Sequence, residues 1–179
     1  MEKSSKYERV KKMSLIKLDL KDEKMMMRLF PLYLKYEAEI SHAQIDEIFN
    51  KDKPLENIEY FITYFSRGIT TFIYTVDNDF KGFVSFHIDS NEVTGYAEGY
   101  RDWGHLAEIY TDHSVRGLGI GKKMVKKVET ELSKLSVYKL YLTDLTGNNQ
   151  FWHSMNYTNT KKIEPNEGGL IFEKYLRIP

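Results

Sequence analysis

The sequence predicts an α/β (α+β) fold, with about seven strands and four helices in the order β, α, α, β, β, β, α, β, α, β, β. Two kinds of pattern predict this class: short alternating or β-branched segments, and longer segments in which apolar residues recur every three or four positions. A third observation is the glycine-rich stretch 115–122, which separates a strand pattern from a helix pattern. No repeat or low-complexity linker divides the chain. We therefore expect a single domain over residues 13–179, preceded by a flexible, charged lead-in over residues 1–12.

The composition excludes several classes of protein without identifying one. Hydrophobic residues make up 41% of the 179 residues, enough to fill one core of two or three layers. Basic and acidic residues number 26 each, so net charge gives no argument for nucleic acid or an anionic membrane as a partner. The absence of cysteine excludes disulfides, thiolate metal sites and thiol nucleophiles, and it fits a reducing compartment. Because we find no signal-like or membrane-spanning apolar run, we expect a soluble, cytoplasmic protein.

Three elements are predicted before the central hairpin. Alternation over residues 14–20 predicts a first strand. Residues 22–40 carry a helical pattern that contains Pro31, which predicts either a kinked helix or two helices. The segment 54–65 begins with proline, has one apolar stripe and stops before Gly68, which predicts a second helix.

The remaining elements are predicted from strand-forming residues and the turn residues between them. Residues 70–76 and 83–88 are rich in Thr, Ile, Phe and Tyr, and a polar cluster at 77–82 separates them, a pattern typical of a hairpin. Apolar residues at spacings of three and four over residues 120–135 predict a long helix after the glycine turn. The other predicted elements are strands at 106–111, 137–142, 158–164 and 169–175, and a helical turn at 150–154.

The stretch from Val115 to Lys122 has glycines at positions 117, 119 and 121, immediately before the long helix. The start of a helix leaves N–H groups without intrahelical partners and with partial positive charge. Glycines remove the side chains that would keep a phosphate from reaching those groups. The first prediction for this turn is therefore a phosphate or pyrophosphate site. The alternative is a tight turn whose glycines only let the helix pack closely on a strand.

Spacing narrows the choice among phosphate-binding motifs. A Walker loop requires Gly at the position of Arg116 and Ser or Thr at the position of Lys123, so that motif fails at both ends. The dinucleotide pattern Gly-x-Gly-x-x-Gly also fails, whether it is counted from Gly117 or from Gly119. What remains is Arg-x-x-Gly-x-Gly, formed by Arg116, Gly119 and Gly121.

This pattern, with a strand before it and an amphipathic helix after it, resembles the acetyl-CoA signature of the GNAT superfamily of N-acetyltransferases. The order of elements over residues 14–176 also resembles the GNAT order. The resemblance implies a central mixed, mostly antiparallel sheet flanked by helices, with acetyl-CoA as the acyl donor. It also implies that the strand end binds the pantetheine arm through its backbone and that amides of the turn bind the pyrophosphate. The matching positions are Ile109, Tyr110 and Thr111 in the strand, and Arg116, Gly117, Leu118, Gly119, Ile120, Gly121 and Lys122 in the turn.

The same resemblance implies a general base on the strand before the turn and a general acid near the coenzyme sulfur. Glu108 and His105 are the candidate bases; strand alternation places them on opposite faces unless a bulge intervenes. Glu108 is favoured because a carboxylate also attracts a cationic amine. The family commonly has tyrosine as the acid, but Trp152 occupies that position here, as a core aromatic or a coenzyme contact, and an indole does not give up its proton. Tyr157, water or unassisted departure of the thiolate are the alternatives, and Asn148 is a further candidate coenzyme contact.

These observations lead to three hypotheses. The leading one is an N-acetyltransferase that moves an acetyl group from acetyl-CoA to a primary amine of a small molecule or peptide, by direct attack in a ternary complex; a homodimer is compatible with it. The second is a catalytically degenerate acyl-CoA sensor or interaction module, and the third is a nucleotide-dependent enzyme. No metal is expected, because no two histidines share a helix face at i and i+4. In this fold the acceptor lies against early helices and nearby loops, which contribute Tyr33, Tyr36, Glu37, Glu39, Tyr96, Glu98, Tyr100, Arg101 and Trp103.

Overall fold

A computed structural model describes residues 12–45, 49, 54–89 and 99–177, and it confirms the predicted order of strands and helices. The proposed lead-in over residues 1–12 lies outside the described residues except for Lys12. The strands are β1 Met13–Lys17, β2 Thr70–Val76, β3 Asp79–Ile88, β4 Gly104–Thr111, β5 Lys139–Asp144, β6 Thr158–Ile163 and β7 Leu170–Tyr175. The helices are α1 Glu23–Ser41, α2 Pro54–Phe65, α3 Ile120–Lys134 and α4 Asn149–Ser154, with a 3₁₀ turn at His113–Val115.

The seven strands form one mixed sheet in the order β1-β2-β3-β4-β5-β7-β6. Every neighbouring pair is antiparallel except β4 and β5, which are parallel. These two strands pair only at Gly104 with Leu140 and at His105 with Tyr141. Beyond His105 they separate, so among the described strands the backbone of β4 towards Thr111 is paired only with β3.

Helices cover both faces of the sheet. The apolar stripe of α3 packs on one face, in a core that includes Met124, Val128 and Leu132. Helices α1 and α2 pack on the other face, where Leu29, Phe61 and Phe65 are fully or almost fully buried. Among the described residues no helix is long and apolar enough to cross a membrane.

Helix α1 runs through Pro31 without ending, which decides between the one-helix and two-helix predictions. Proline removes one backbone hydrogen bond from a helix. Leu29 and Phe30 before it and Leu32 and Tyr33 after it are all buried, so packing against the sheet holds both halves in place.

The turn between β2 and β3 is shorter than the predicted 77–82. Asp77 and Asn78 form it alone, with positive φ angles of 51° and 70°, as a two-residue hairpin turn requires. Gly82 therefore belongs to β3, where an added Cβ would lie 2.7 Å from the Tyr110 carbonyl oxygen. The absence of a side chain at this position allows β3 and β4 to pack closely. Composition alone cannot distinguish a glycine with this role from one that forms a turn.

A bulge in β4 changes which side chains share a face. Ser85 of β3 pairs with Glu108, whereas the next residue, Phe86, pairs with Leu106, so Ala107 is the extra residue. His105 pairs with His87, two positions from Ser85, so the bulge places His105 and Glu108 on the same face of the sheet. That face is the one covered by α1.

Candidate active site

The glycine turn before α3 has the backbone that an exposed helix start requires. Gly117 and Gly119 have φ angles of 78° and 73°, a left-handed conformation that other residues adopt only with strain. Apart from their chain neighbours, no atom of the described residues lies within 4 Å of the Cβ position of either glycine. Gly119 caps α3 without any side-chain hydrogen bond, so the first amides of the helix have no side-chain cap.

Gly121 serves close packing between helices. Its Cβ would lie 3.3 Å from the Phe151 ring of α4 and 3.9 Å from Thr111 Oγ1. The glycine therefore allows α3, α4 and the end of β4 to approach one another. The packing explanation that the sequence left open therefore applies to Gly121.

A cleft of about 400 Å³ opens between the end of β4, the start of α3 and α4. Of the positions expected to bind a coenzyme, all but Leu118 line it, and the Leu118 side chain is exposed outside it. The lining residues are Tyr36, Glu39, Ile40, Ile109, Tyr110, Thr111, Val115, Arg116, Gly117, Gly119, Ile120, Gly121, Lys122, Thr146, Asn148, Phe151 and Trp152.

Helix α1 contributes residues that line the cleft, although no sequence pattern connected this helix with the glycine turn. Tyr36 and Glu39 come from α1, and the Glu39 carboxylate contacts the Arg116 guanidinium at 2.5 Å. Arg116 Nε also donates a hydrogen bond to the Thr111 carbonyl oxygen at 2.8 Å. Arg116 therefore ties the glycine turn to the end of β4 and to α1, which explains an arginine three residues before Gly119.

Glu108 lies one residue before the cleft-lining part of β4 and faces the α1 layer. Its side chain is buried, with a relative exposure of 4%, and its Oε2 atom has no hydrogen-bond partner among the described residues. Burial, and then the charges of Glu37 and Glu167, raise the pKa of Glu108 to about 8. A carboxyl group with such a pKa can exchange a proton near neutral pH.

Comparisons with known proteins point to one family. A family model described as the acetyltransferase (GNAT) family matches residues 39–157, more than half of the chain. The chain belongs to the GNAT acetyltransferase family. It is therefore an acyltransferase, as the glycine turn and the order of elements suggested. No curated protein matches the sequence significantly.

Solved structures share the fold of this acetyltransferase at low sequence identity. The PH1933 structure from Pyrococcus horikoshii OT3 aligns with a TM-score of 0.65 and 19% identity, over 93% of this chain and 99% of that one. The PaiA N-acetyltransferase of Thermoplasma acidophilum, in complex with coenzyme A, aligns with a TM-score of 0.61 and 15% identity, over 92% and 99%. YncA from Salmonella typhimurium, with its cofactor acetyl-CoA, aligns with a TM-score of 0.60 and 15% identity, over 93% and 94%.

Trp152 of this acetyltransferase is both a core residue and a lining residue of the cleft. Its indole Nε1 is buried and has no hydrogen-bond partner among the described residues. Asn148 also lines the cleft, and its Nδ2 donates to Thr146 Oγ1 at 2.7 Å. A buried N–H group without a partner costs free energy.

Tyr157, the other candidate acid, does not line the cleft. Its side chain is 2% exposed, and its hydroxyl donates to Glu129 Oε1 of α3 at 3.4 Å. Burial, followed by the charge of Glu129 and this hydrogen bond, raises the pKa of Tyr157 well above its ordinary value. The geometry therefore directs the Tyr157 hydroxyl to α3 rather than to the coenzyme cleft, because the β6 start carries it into the core.

His105, the alternative base, belongs to a buried network below the cleft. Its ring stacks on Tyr141 with centroids 4.4 Å apart and lies 4.9 Å from the His87 ring. Burial and the neighbouring His87 lower the pKa of His105 to about 3, so the imidazole is neutral at physiological pH. His87 hydrogen-bonds Asp89 at 3.0 Å, and the Tyr141 hydroxyl donates to the other Asp89 oxygen at 2.5 Å.

The same network brings together His87, Asp89 and His105, whose candidate ligand atoms lie within 4.8 Å of one another. The search for histidines on one helix face could not detect this group, because its members come from neighbouring strands. Both Asp89 oxygens already accept hydrogen bonds, so the cluster has a structural explanation.

Of the residues expected near the acceptor, the described ones divide between two places. Tyr33, Tyr36, Glu37 and Glu39 lie on α1, and of these Tyr36 and Glu39 line the cleft. Tyr100 and Trp103 instead pack together around Tyr141, with Tyr100 donating to Glu173, and Arg101 is exposed. Tyr96 and Glu98 lie outside the described residues.

Proposed function

We propose that this GNAT acetyltransferase moves an acetyl group from acetyl-CoA to a primary amine of a small molecule or peptide by direct attack in a ternary complex. The observation that carries the proposal is the continuous cleft from the unpaired side of β4 to the uncapped start of α3. The pantetheine arm would pair with Ile109 and Thr111 as an added strand. The pyrophosphate would lie on the amides of the glycine turn, where the helix dipole favours negative charge.

The reaction requires a neutral amine, and Glu108 is the group best placed to accept its proton, directly or through water. The amine nitrogen then bonds to the acetyl carbon, the carbon–sulfur bond breaks, and the coenzyme leaves as a thiolate. The thiolate takes its proton from water.

The coenzyme site is tested by binding acetyl-CoA to Arg116→Ala and Gly119→Asp in a thermal-shift assay. We expect Gly119→Asp to abolish the shift, because its side chain blocks the pyrophosphate and repels it. Gly99→Asp is the matched control, since Gly99 also has a left-handed φ, of 93°, and no described atom other than those of its chain neighbours lies within 4 Å of its Cβ position. An unchanged shift in Gly119→Asp would overturn the proposed coenzyme site. Turnover is then measured as free thiol released from acetyl-CoA with a panel of amines.

A catalytically degenerate acyl-CoA sensor of the same fold is the second candidate. It is favoured by Trp152 at the position where the family has tyrosine and by the engagement of the Tyr157 hydroxyl with Glu129. The two candidates are separated by comparing the wild type with Trp152→Tyr. A wild type that binds acetyl-CoA but acetylates no amine, together with a variant that gains turnover, would favour the sensor.

A further inference from the structure

We propose that Ser85 is a positioning residue for Glu108: its hydroxyl group accepts a hydrogen bond from Thr71 and donates its own proton to the Glu108 carboxylate. The inference rests on the proposed function, in which Glu108 is the base. A hydrogen bond to one carboxylate oxygen favours the ionised form and leaves the other oxygen available to the amine.

The three side chains form one row across the sheet. Thr71 of β2 pairs with Ser85 of β3, and Ser85 pairs with Glu108 of β4. Residues directly opposite each other in antiparallel strands have Cβ atoms about 5 Å apart and point to the same face. That face is the one covered by α1, because Ile73 and Phe83, two positions further along β2 and β3, belong to the core beneath α1.

The two hydroxyl groups of this row are buried and bonded to each other. Thr71 is 2% exposed and Ser85 is fully buried, and their oxygen atoms lie 3.0 Å apart, with either one able to be the donor. Two hydroxyl groups carry two protons, and their mutual hydrogen bond uses one of them. Within the described part of the chain, neither hydroxyl group has a further hydrogen-bond partner. One buried donor therefore remains in the row.

The same row contains a buried acceptor that lacks a donor. Glu108 is 4% exposed, and its Oε2 atom has no hydrogen-bond partner among the described residues. A buried acceptor without a partner costs free energy, and so does a buried donor. The carboxylate group lies beyond Cβ on a further carbon atom, so side-chain rotation can carry Oε2 across a Cβ separation of about 5 Å to the Ser85 hydroxyl.

The unpaired acceptor decides the direction of the hydrogen bond between the two hydroxyl groups. If Ser85 donated to Thr71, the remaining proton would lie on Thr71, one strand further from Glu108. If Thr71 donates to Ser85, the Ser85 proton is available to the carboxylate and all three groups have partners. Hydrogen bonds to an ionised carboxylate are shorter and roughly twice as strong as neutral ones, so this direction is the more stable one.

Other titratable groups lie on the elements packed against this side of the sheet. Burial, and then the charges of Glu37 and Glu167, raise the pKa of Glu108 to about 8. The remaining groups are His105 and Tyr110 of β4, His87 of β3, and Tyr33 and Tyr36 of α1. Because a substitution of Ser85 replaces none of them, a change in the titration of Glu108 reports the loss of the hydroxyl group.

The ionisation of Glu108 is followed by carbon-13 NMR of glutamate-labelled protein, and its carboxyl signal is assigned by its absence in Glu108→Gln. We expect Ser85→Ala to raise the pH midpoint of this signal by on the order of one unit, because the lost hydrogen bond favoured the ionised form. Thr71→Val should raise the midpoint less, since Thr71 acts on the carboxylate only through Ser85. Ser85→Thr, which keeps the hydroxyl group, should retain the wild-type midpoint. An unchanged midpoint in Ser85→Ala, or an equal shift in Ser85→Thr, would overturn the inference.

Ser14→Ala is the matched control. Ser14 Oγ and Thr75 Oγ1 form the same kind of hydroxyl pair, 2.7 Å apart, between β1 and β2. Ser14 lies two strands further from β4 than Ser85 does, so its loss should leave the titration of Glu108 unchanged. A shift in Ser14→Ala equal to that in Ser85→Ala would show a general effect of the sheet and would overturn the assignment to Ser85.

Kinetics connect the positioning role with catalysis. With an amine that is acetylated in the thiol-release assay, Ser85→Ala should move the pH profile of kcat/KM upward by the same amount as the NMR midpoint. A shifted NMR midpoint with an unmoved kinetic profile would overturn the positioning role. Absence of turnover with every amine would count against the proposed function, whereas the NMR midpoint tests the hydrogen bond in either case.

Discussion

At the scale of single residues, the site depends on groups whose environment sets their charge. Glu108 would be an ordinary carboxylate in water, but burial and two like charges raise its pKa to about 8. Arg116 interacts with a carbonyl oxygen and a carboxylate at once, so its position is fixed before any ligand arrives. Both properties depend in part on neighbours that lie far away in the sequence, such as Glu39 for Arg116.

Replacement of Glu108 by Gln should change how stability depends on pH. The raised pKa means that the folded protein retains a proton that the unfolded chain releases above its ordinary pKa of 4.5. Wild-type stability therefore falls as pH rises from 4.5 towards about 8, and Gln removes this loss. Urea unfolding of both proteins at pH 5, 7 and 9 should show that the free energy of unfolding of the variant increases relative to that of the wild type as pH rises. Parallel pH profiles of the two proteins would contradict this prediction.

The same substitution should affect activity. Wild-type kcat/KM should rise over the upper part of this pH range, and kcat/KM should be strongly reduced in the variant.

Replacement of Glu39 by Gln should tighten binding of coenzyme A. Glu39 places a negative charge in the cleft proposed for a pyrophosphate, and its contact with Arg116 is partly exposed, with side chains 32% and 39% accessible. Exposed ion pairs contribute at most about 1 kcal/mol, so the gain should be on the order of two- to fivefold in affinity and largest at low salt. The affinity for coenzyme A is measured by isothermal titration calorimetry, with Glu131→Gln as the control variant. Weaker binding would indicate that Glu39 positions Arg116 more than it repels the ligand.

At the scale of elements, β4 connects the chemistry to the coenzyme. Its bulge at Ala107 turns Glu108 towards α1, and its separation from β5 beyond His105 leaves backbone groups available for an extended ligand. The start of α3 provides uncapped amides at the same end of the cleft. The hydrogen-bond network around Asp89 holds β3 to β5 where β4 and β5 still pair.

Replacement of Tyr141 by Phe should destabilise the sheet at this point. The change removes the hydroxyl that donates to Asp89 at 2.5 Å and leaves a buried carboxylate oxygen without that donor. The expected cost is about 1–3 kcal/mol in the free energy of unfolding, measured by urea denaturation. Tyr175→Phe is the control, because Tyr175 is 65% exposed. Equal stabilities of the two variants would show that the Asp89 network contributes little.

At the scale of the whole molecule, the balanced net charge does not describe how charge is distributed around β4 and the cleft. Acidic and basic residues number 26 each, yet within the described part of the chain the buried Glu108 forms no ion pair, while Arg116 and the first amides of α3 lie at the glycine turn. Helices pack on both faces of the sheet and hold β4 and the glycine turn in fixed relative positions.

The sequence by itself determined the order of elements and the glycine turn, because periodicity, turn residues and the spacing from Arg116 to Gly121 are properties of neighbouring positions. It could not fix the length of the hairpin turn or show that α1 continues through Pro31, since both depend on packing. Nor could it place Tyr157, whose hydroxyl direction follows from the start of β6.

Only the tertiary structure decided which residues complete the site. Glu39 contacts Arg116 because packing of α1 brings this helix to the glycine turn, although the two residues lie far apart in the sequence. The bulge that places His105 and Glu108 on one face depends on the pairing of β4 with β3. Such contacts have no local periodicity, so they leave no pattern in the sequence from which they could be predicted.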